Sequence, residues 1–326
     1  MNSCKKYSFK IIILLLILLL TVVFAIAVGS YHIPVYEIFS GDKSSVTYKI
    51  IVYARLPRVI AGLIAGSGLA VSGALLQSVL NNSLASPGII GINAGAGLVA
   101  VIFMTVFPAS IFAKPFGAFI GAFLSAMLVW AISSKTGASK STVILTGVAV
   151  SSLFTAILDA VITCYPELQL DRLSFAIGGF ENLDYKRLIY LLPFYIAGMI
   201  GSFLISYDVN VLYLGDETAG SLGLNIKRTR GMAILFSALL AGTAVSIAGL
   251  LGFVGLVVPH IMGWVIGKDN RILFPATSIS GAILTVFSDT LARSLFAPFE
   301  VPVGILLSLI GAPFFLVLIF KRRRHS

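Results

Sequence analysis

The sequence predicts an all-α, polytopic integral membrane protein of about ten transmembrane helices. Three observations predict it. Of 326 residues, 58% are hydrophobic and only 11% are charged, against about 25% charged in an ordinary soluble domain. So apolar a chain could not cover itself with a charged surface in water. The apolar residues fall in runs of bilayer length, about 20 residues per helix. The basic residues collect in short clusters between those runs, the distribution that orients membrane proteins.

Bilayer length sets the expected spans at about 11–30, 59–80, 88–107, 115–134, 142–164, 188–207, 231–250, 252–267, 272–296 and 302–320. They form one membrane domain over 1–326. The first follows Lys5 and Lys6 and resembles a signal peptide, with Ala25-Ile26-Ala27 placed like a cleavage site. Its length, and the spans after it, make it an uncleaved first helix. Gly62, Gly66, Gly68 and Gly73 crowd the second span and Gly91, Gly95 and Gly97 the third. Such small residues let helix backbones approach closely, as in a transporter or channel. The run from Gly231 to Gly267 is too long for one span. Gly249, Gly252, Gly255 and Pro259 divide it into two helices joined by a tight, partly buried turn, and irregular backbone at that depth needs protein or water around it. His260, just after Pro259, reads as an N-cap or turn residue.

Two polar stretches interrupt the spans, Tyr31–Arg58 and Gly215–Arg230. The second reads as one or two short helices. Asp216 and Glu217 open it and Lys227, Arg228 and Arg230 close it, an order that suits a helix dipole and a docking surface.

Ten spans leave both termini on one side. With the N-terminus inside, 14 of the 23 Lys and Arg residues lie inside, including the clusters at both ends and at 227–230. Both ends are therefore expected in the cytoplasm. The net charge of +10 is read as this orientation signal and as affinity for lipid headgroups, not as a sign of nucleic acid. A weak internal echo accompanies it. Arg58 precedes Pro87, and Arg230 precedes Pro259, each by 29 residues, and the two halves would run in opposite senses, as in transporters built from inverted repeats.

Ionisable groups within the spans are few: Asp159, Asp289, Arg293 and His260. The first three lie near the outer ends, where snorkelling is cheap. Asp289 and Arg293 stand four apart on one helix face and can pair. A proton-driven pump would need acids deep in the membrane, and an enzyme a catalytic cluster; neither pattern is found. The phosphate-loop pattern is missing too, since Gly267-Lys268 is followed by Asp269. If ATP drives this chain, another chain hydrolyses it. Cys4 and Cys164 sit at opposite ends of helical segments, without disulfide or metal spacing.

Several ordered motifs carry a resemblance. They are Arg55-Leu56-Pro57-Arg58; Gly66 to Gln77; Asn82-Ser83-Leu84-Ala85-Ser86-Pro87-Gly88; Leu214-Gly215-Asp216-Glu217-Thr218-Ala219 with Leu222-Gly223; Gly252 to His260; and Pro302-Val303-Gly304 with Gly311-Ala312-Pro313. Together they resemble the permease family of vitamin B12, haem and iron-siderophore ATP-binding-cassette importers, over nearly the whole chain. The resemblance implies a non-enzymatic subunit in a bacterial inner membrane, paired with a second permease subunit as homodimer or heterodimer. It implies two ATPase subunits that hold ATP and magnesium, and an extracytoplasmic substrate-binding protein. No cofactor or metal is implied on this chain.

By the same resemblance, Arg55, Arg58 and Arg293 dock the binding protein through carboxylates, which arginine recognises with charge-assisted bonds. Residues 215–227 hold the coupling helices, with Gly215, Asp216, Glu217, Thr218, Ala219, Leu222 and Gly223 matching. Asn82 and Leu84 match a cytoplasmic gate, with Ser141, beside Lys140, as its second element. Ser83 stands where the family has proline, which leaves that loop freer. An iron chelate is the expected substrate and vitamin B12 the alternative; an ion-coupled secondary transporter is the rival outside the family.

Overall fold

A computed structural model describes residues 2–29, 46–181, 183–295 and 299–323. Its spans run α1 (Asn2–Ala27), α2 (Val46–Leu80), α3 (Ile92–Val106), α4 (Ala113–Lys135) and α5 (Lys140–Cys164). A short α6 (Gln169–Ile177) leads to α7 (Tyr185–Leu204). Two short helices follow, α8 (Ser206–Tyr213) and α9 (Asp216–Ser221). The last four are α10 (Ile226–Ala248), α11 (Val254–Ile266), α12 (Asn270–Ser294) and α13 (Val303–Arg323). Every expected span coincides with a helix. Seven of the described helices are long and apolar enough to cross a membrane, while α3, α11 and residues 303–317 of α13 are shorter.

Polar side chains start several helices by accepting an orphan backbone N–H. Ser139 accepts from Thr142 N at 3.1 Å, Asn225 from Arg228 N at 3.0 Å, and Asp269 from Arg271 N at 3.1 Å.

Four expectations need correction. The first polar stretch is helical from Val46 onward, with one π-wound turn over Ile50–Arg55, so α2 begins before residue 59; residues 30–45 of that stretch lie outside the described residues. The third span winds as helix only from Ile92, after a series of turns through 86–91. Lys227, Arg228 and Arg230 do not close the short helix but lie in the opening turns of α10, after a turn at 222–225. His260 is neither a cap nor a turn residue, because α11 starts at Val254 and carries Pro259 inside it. Ring contact with Trp264, centroids 4.7 Å apart, sets His260 one helical turn from an aromatic neighbour.

The core sits around α2. It is 89% buried over its most apolar window and packs against α12, α10 and α11, whereas α1 is 11% and α5 22% buried over theirs. Close backbone approach explains the small residues. A Cβ on Gly73 would stand 1.7 Å from the carbonyl oxygen of Gly255, so α2 and α11 cross backbone to backbone there. Pro259 lacks the N–H that would bond that carbonyl, and Gln77 of α2 donates to it instead through Nε2 at 3.3 Å.

The internal echo holds for elements and not for the residues that suggested it. α2 packs on α12 as α10 packs on α4, and α3 lies against α4 and α5 as α11 lies against α12 and α13. The proline register is not equivalent. Pro87 lies in the turns before α3, while Pro259 lies within α11.

Candidate functional site

The predicted residues gather at the two ends of the bundle. At one end, the π-turn brings Arg55 over the last turn of α1, where its guanidinium donates to the carbonyls of Ile26 and Ala27, the latter at 2.8 Å. Those carbonyls are the unpaired C-terminal acceptors of a helix, where positive charge is favoured. Arg293 reaches the same helix end, donating to Ala25 O at 3.4 Å, and pairs with Asp289 at 3.0 Å, one turn back on α12. Arg58 bonds Asp289 at 3.4 Å and Glu300 at 2.7 Å. Arg58 and Arg293 therefore share one buried carboxylate, and Arg55 meets Arg293 at the end of α1. They differ in reach: Arg55 and Arg293 are each 4% exposed, while the Arg58 side chain is 16% exposed and meets a Glu300 that is 41% exposed. Glu300 was not anticipated, because its motif-free position gave no signal.

At the other end, Gly215 takes a φ of 112°, a region that favours glycine, and turns the chain from α8 into α9. Asp216 then accepts two bonds from Arg230 Nη2, at 2.9 and 3.1 Å, and lies 3.8 Å from Lys140. Arg230 also donates to Ala138 O. One carboxylate thus ties α9 to the first turns of α10 and α5. Ala219 points inward, into an apolar cluster with Leu75 and Val79 of α2, Leu212 of α8 and Phe274 of α12. Glu217 and Thr218 face out, as do Leu222 and Gly223 beyond them. Leu222 is 65% exposed.

A second tie links α8 to the same helices. Asn210 donates to Asp269 Oδ1 at 2.7 Å and accepts from Asn270 N at 2.9 Å, and Asn270 accepts from Ser78 of α2 at 2.9 Å. Chiefly its side-chain bond from Arg271, helped by the bond from Asn210, brings the Asp269 carboxyl down to about 2. Nothing in the sequence pairs residues 78, 210 and 270.

The turn after α2 is set by Asn81 in the left-handed region and by Asn82, whose Oδ1 accepts from Leu84 N at 2.9 Å. That bond constrains the loop at the place where Ser83 would otherwise free it. Leu84 is 40% exposed. Ser141 is exposed in the first turn of α5, and among the described residues no hydrogen bond joins it to the 82–84 loop.

The family description of the FecCD transport family matches residues 16–321. The chain belongs to that family. Relatives of this FecCD-family chain include an Fe(3+)-citrate import system permease protein of Bacillus subtilis (strain 168), 39% identical over 88% of this chain and 85% of that one. A hemin transport system permease protein of Yersinia pestis is 34% identical over 91% of each chain. A ferric enterobactin transport system permease protein of Escherichia coli (strain K12) is 35% identical, covering 96% and 94%. Among solved structures, a metal-chelate type ABC transporter in an inward-facing conformation superposes with a TM-score of 0.86 at 29% identity, covering 96% of this FecCD-family chain and 99% of that one.

Proposed function

We propose that this chain is the permease subunit of an ATP-binding-cassette importer that carries an iron chelate, a siderophore complex or haem, into a bacterial cytoplasm. What carries the reading is the set of relatives, permeases of an Fe(3+)-citrate import system, a hemin transport system and a ferric enterobactin transport system, aligned over most of their own lengths. Both termini would lie in the cytoplasm of an inner-membrane protein, with the Arg58 end outside and the Asp216 end inside. A second permease subunit would complete the pathway. An extracytoplasmic binding protein would dock at the Arg58 end and supply most of the selectivity.

Two ATPase subunits, holding ATP and magnesium, would seat on α9 through Glu217, Thr218, Leu222 and Gly223. The geometry supports such a lever. A push on α9 is passed to α10 and α5 through Asp216, and to α2 and α12 through Ala219. The loop bearing Asn82 and Leu84 ends α2, so motion of that helix would move it, with Ser141 on α5 as its counterpart. A vitamin B12 permease is the second reading, favoured by a cobalamin import system permease protein of Halobacterium salinarum, 35% identical over 82% of this chain and 72% of that one.

Uptake of radiolabelled ferric citrate, ferric siderophores, haem and cobalamin in a strain lacking only this chain tests the proposal. Loss of uptake of one iron ligand, restored by the gene, is the expected result. Loss of cobalamin uptake alone selects the second reading, and uptake abolished by an uncoupler at constant ATP selects an ion-coupled carrier.

A further inference from the structure

Where α4 and α10 meet, they leave a groove of about 440 Å³ open to the side of the bundle. Its floor is apolar, made by Met127 and Trp130 of α4 and Met232 and Leu235 of α10. Lys227 and Arg228, from the first turn of α10, close one end. Both basic side chains are exposed, and the ion pairs among the described residues include neither. The Trp130 indole lies against Gly231, where a Cβ would come within 2.8 Å of the ring.

Depth and charge identify the occupant. Leu235 lies about 10 Å along α10 from Arg228, so the groove runs from a cationic rim to acyl-chain depth. Beside it, α4 turns Leu124, Leu128 and Ile132 outward at 57%, 40% and 42% exposure, an apolar face suited to lipid. Trp130 stands five residues before the end of α4 at Lys135, a position that suits the tryptophan preference for membrane interfaces. We infer that this groove holds one anionic phospholipid, its phosphate against Lys227 and Arg228 and the upper part of an acyl chain on Met127, Trp130, Met232 and Leu235. The two cations favour an anionic over a zwitterionic headgroup. The apolar floor favours a lipid over a soluble phosphate. Bound there, the lipid wedges the start of α10 against α4, two residues from the Arg230 that holds α9. The inference rests on the membrane fold and not on which solute is carried.

Native mass spectrometry of the full chain, purified in detergent and titrated with phosphatidylglycerol or phosphatidylcholine, tests it. Phosphatidylglycerol is expected to bind about tenfold more tightly. The double variant Lys227→Gln with Arg228→Gln is expected to bind both lipids equally. The pair Lys135→Gln with Lys268→Gln, which removes the same charge elsewhere at that end, is expected to keep the preference. Leu235→Trp fills the groove with both cations in place and is expected to displace the lipid; if it does not fold, the glutamine pairs decide alone. An unchanged preference in the Lys227/Arg228 variant overturns the inference, and so does equal loss in the two glutamine pairs. Displacement of phosphatidylglycerol by millimolar inorganic phosphate overturns it as well, since that marks a free-anion site. Preference that appears only when an ATPase subunit is bound marks a protein contact and overturns it too.

Discussion

The Arg230 side chain is 1% exposed, while the Asp216 carboxylate that receives it is 38% exposed. The two halves of that pair therefore differ in what their loss costs. Asp216→Ala leaves a buried guanidinium without its carboxylate and with only the Ala138 carbonyl as partner, which costs about 3 kcal/mol. Arg230→Met leaves a carboxylate that water and Lys140 can still serve, and costs about 1 kcal/mol. The double variant is expected to recover much of the Asp216→Ala loss, because the stranded charge is gone. Thermal unfolding of the four proteins in detergent reads this cycle; additive losses would show that the pair is not coupled. Arg55 and Arg293 behave alike in one respect: each sends a donor to the end of α1, and Arg293 gives another to Asp289. A guanidinium spent on helix carbonyls has less to offer a docking protein than Arg58, which faces Glu300 at the rim.

Among elements, the junction of α8 with α12 carries a pH signature. Asp269 has its carboxyl held at about 2, below the ordinary aspartate value of about 3.9. A depressed carboxyl contributes stability that is fully present above the unfolded value and is lost as pH falls through the folded one. The window is therefore about pH 4 down to about pH 2. Asp269→Asn is expected to lower the unfolding midpoint at pH 6 and to converge with the parent near pH 2; a constant gap across that range would remove the assignment.

The same scale shows what the sequence could and could not reveal. Spans were legible because the bilayer fixes their length and apolarity. The start of α3 was not, because Ile89 and Ile90 continue the apolar run while the backbone turns. Hydropathy reads depth, not winding. Arg230 was legible as one more inside charge, but its carbonyl partner Ala138 lies 92 residues away, and no local pattern forecasts such a contact. The Asn210 link hides for the same reason.

For the whole molecule, burial is lopsided. α2 is enclosed by its neighbours, while α5 presents Leu145, Val148, Leu153 and Ile157 outward and α13 presents Leu309, Ile310 and Leu316. In the proposed assembly the Arg58 end meets the binding protein. Arg58→Glu puts a third carboxylate beside Asp289 and Glu300 and is expected to slow that association about tenfold or more at low salt, an effect that fades with added salt. Arg58→Glu combined with Glu300→Arg is expected to restore folding of the rim and part of the association. Surface plasmon resonance of the detergent-solubilised importer against its binding protein measures both. Association unchanged in Arg58→Glu would exclude Arg58 from docking.

The weak burial of α1 has a consequence for how the chain is made. Its main neighbour is α12, and the guanidinium of Arg293 that reaches its end belongs to a residue 268 positions later. During synthesis, therefore, the first helix enters the bilayer long before its resting place exists. Until α12 arrives, its last two turns are held by Arg55 and by Val59 and Leu63 of α2, and the rest drifts in lipid while later segments are inserted. Ribosome-stalled chains in which α12 has not left the ribosome are expected to give no crosslink to the bundle from cysteines placed midway along α1, and chains in which it has left to give one. Crosslinking in the short chains would mean that α1 is seated by α2 alone.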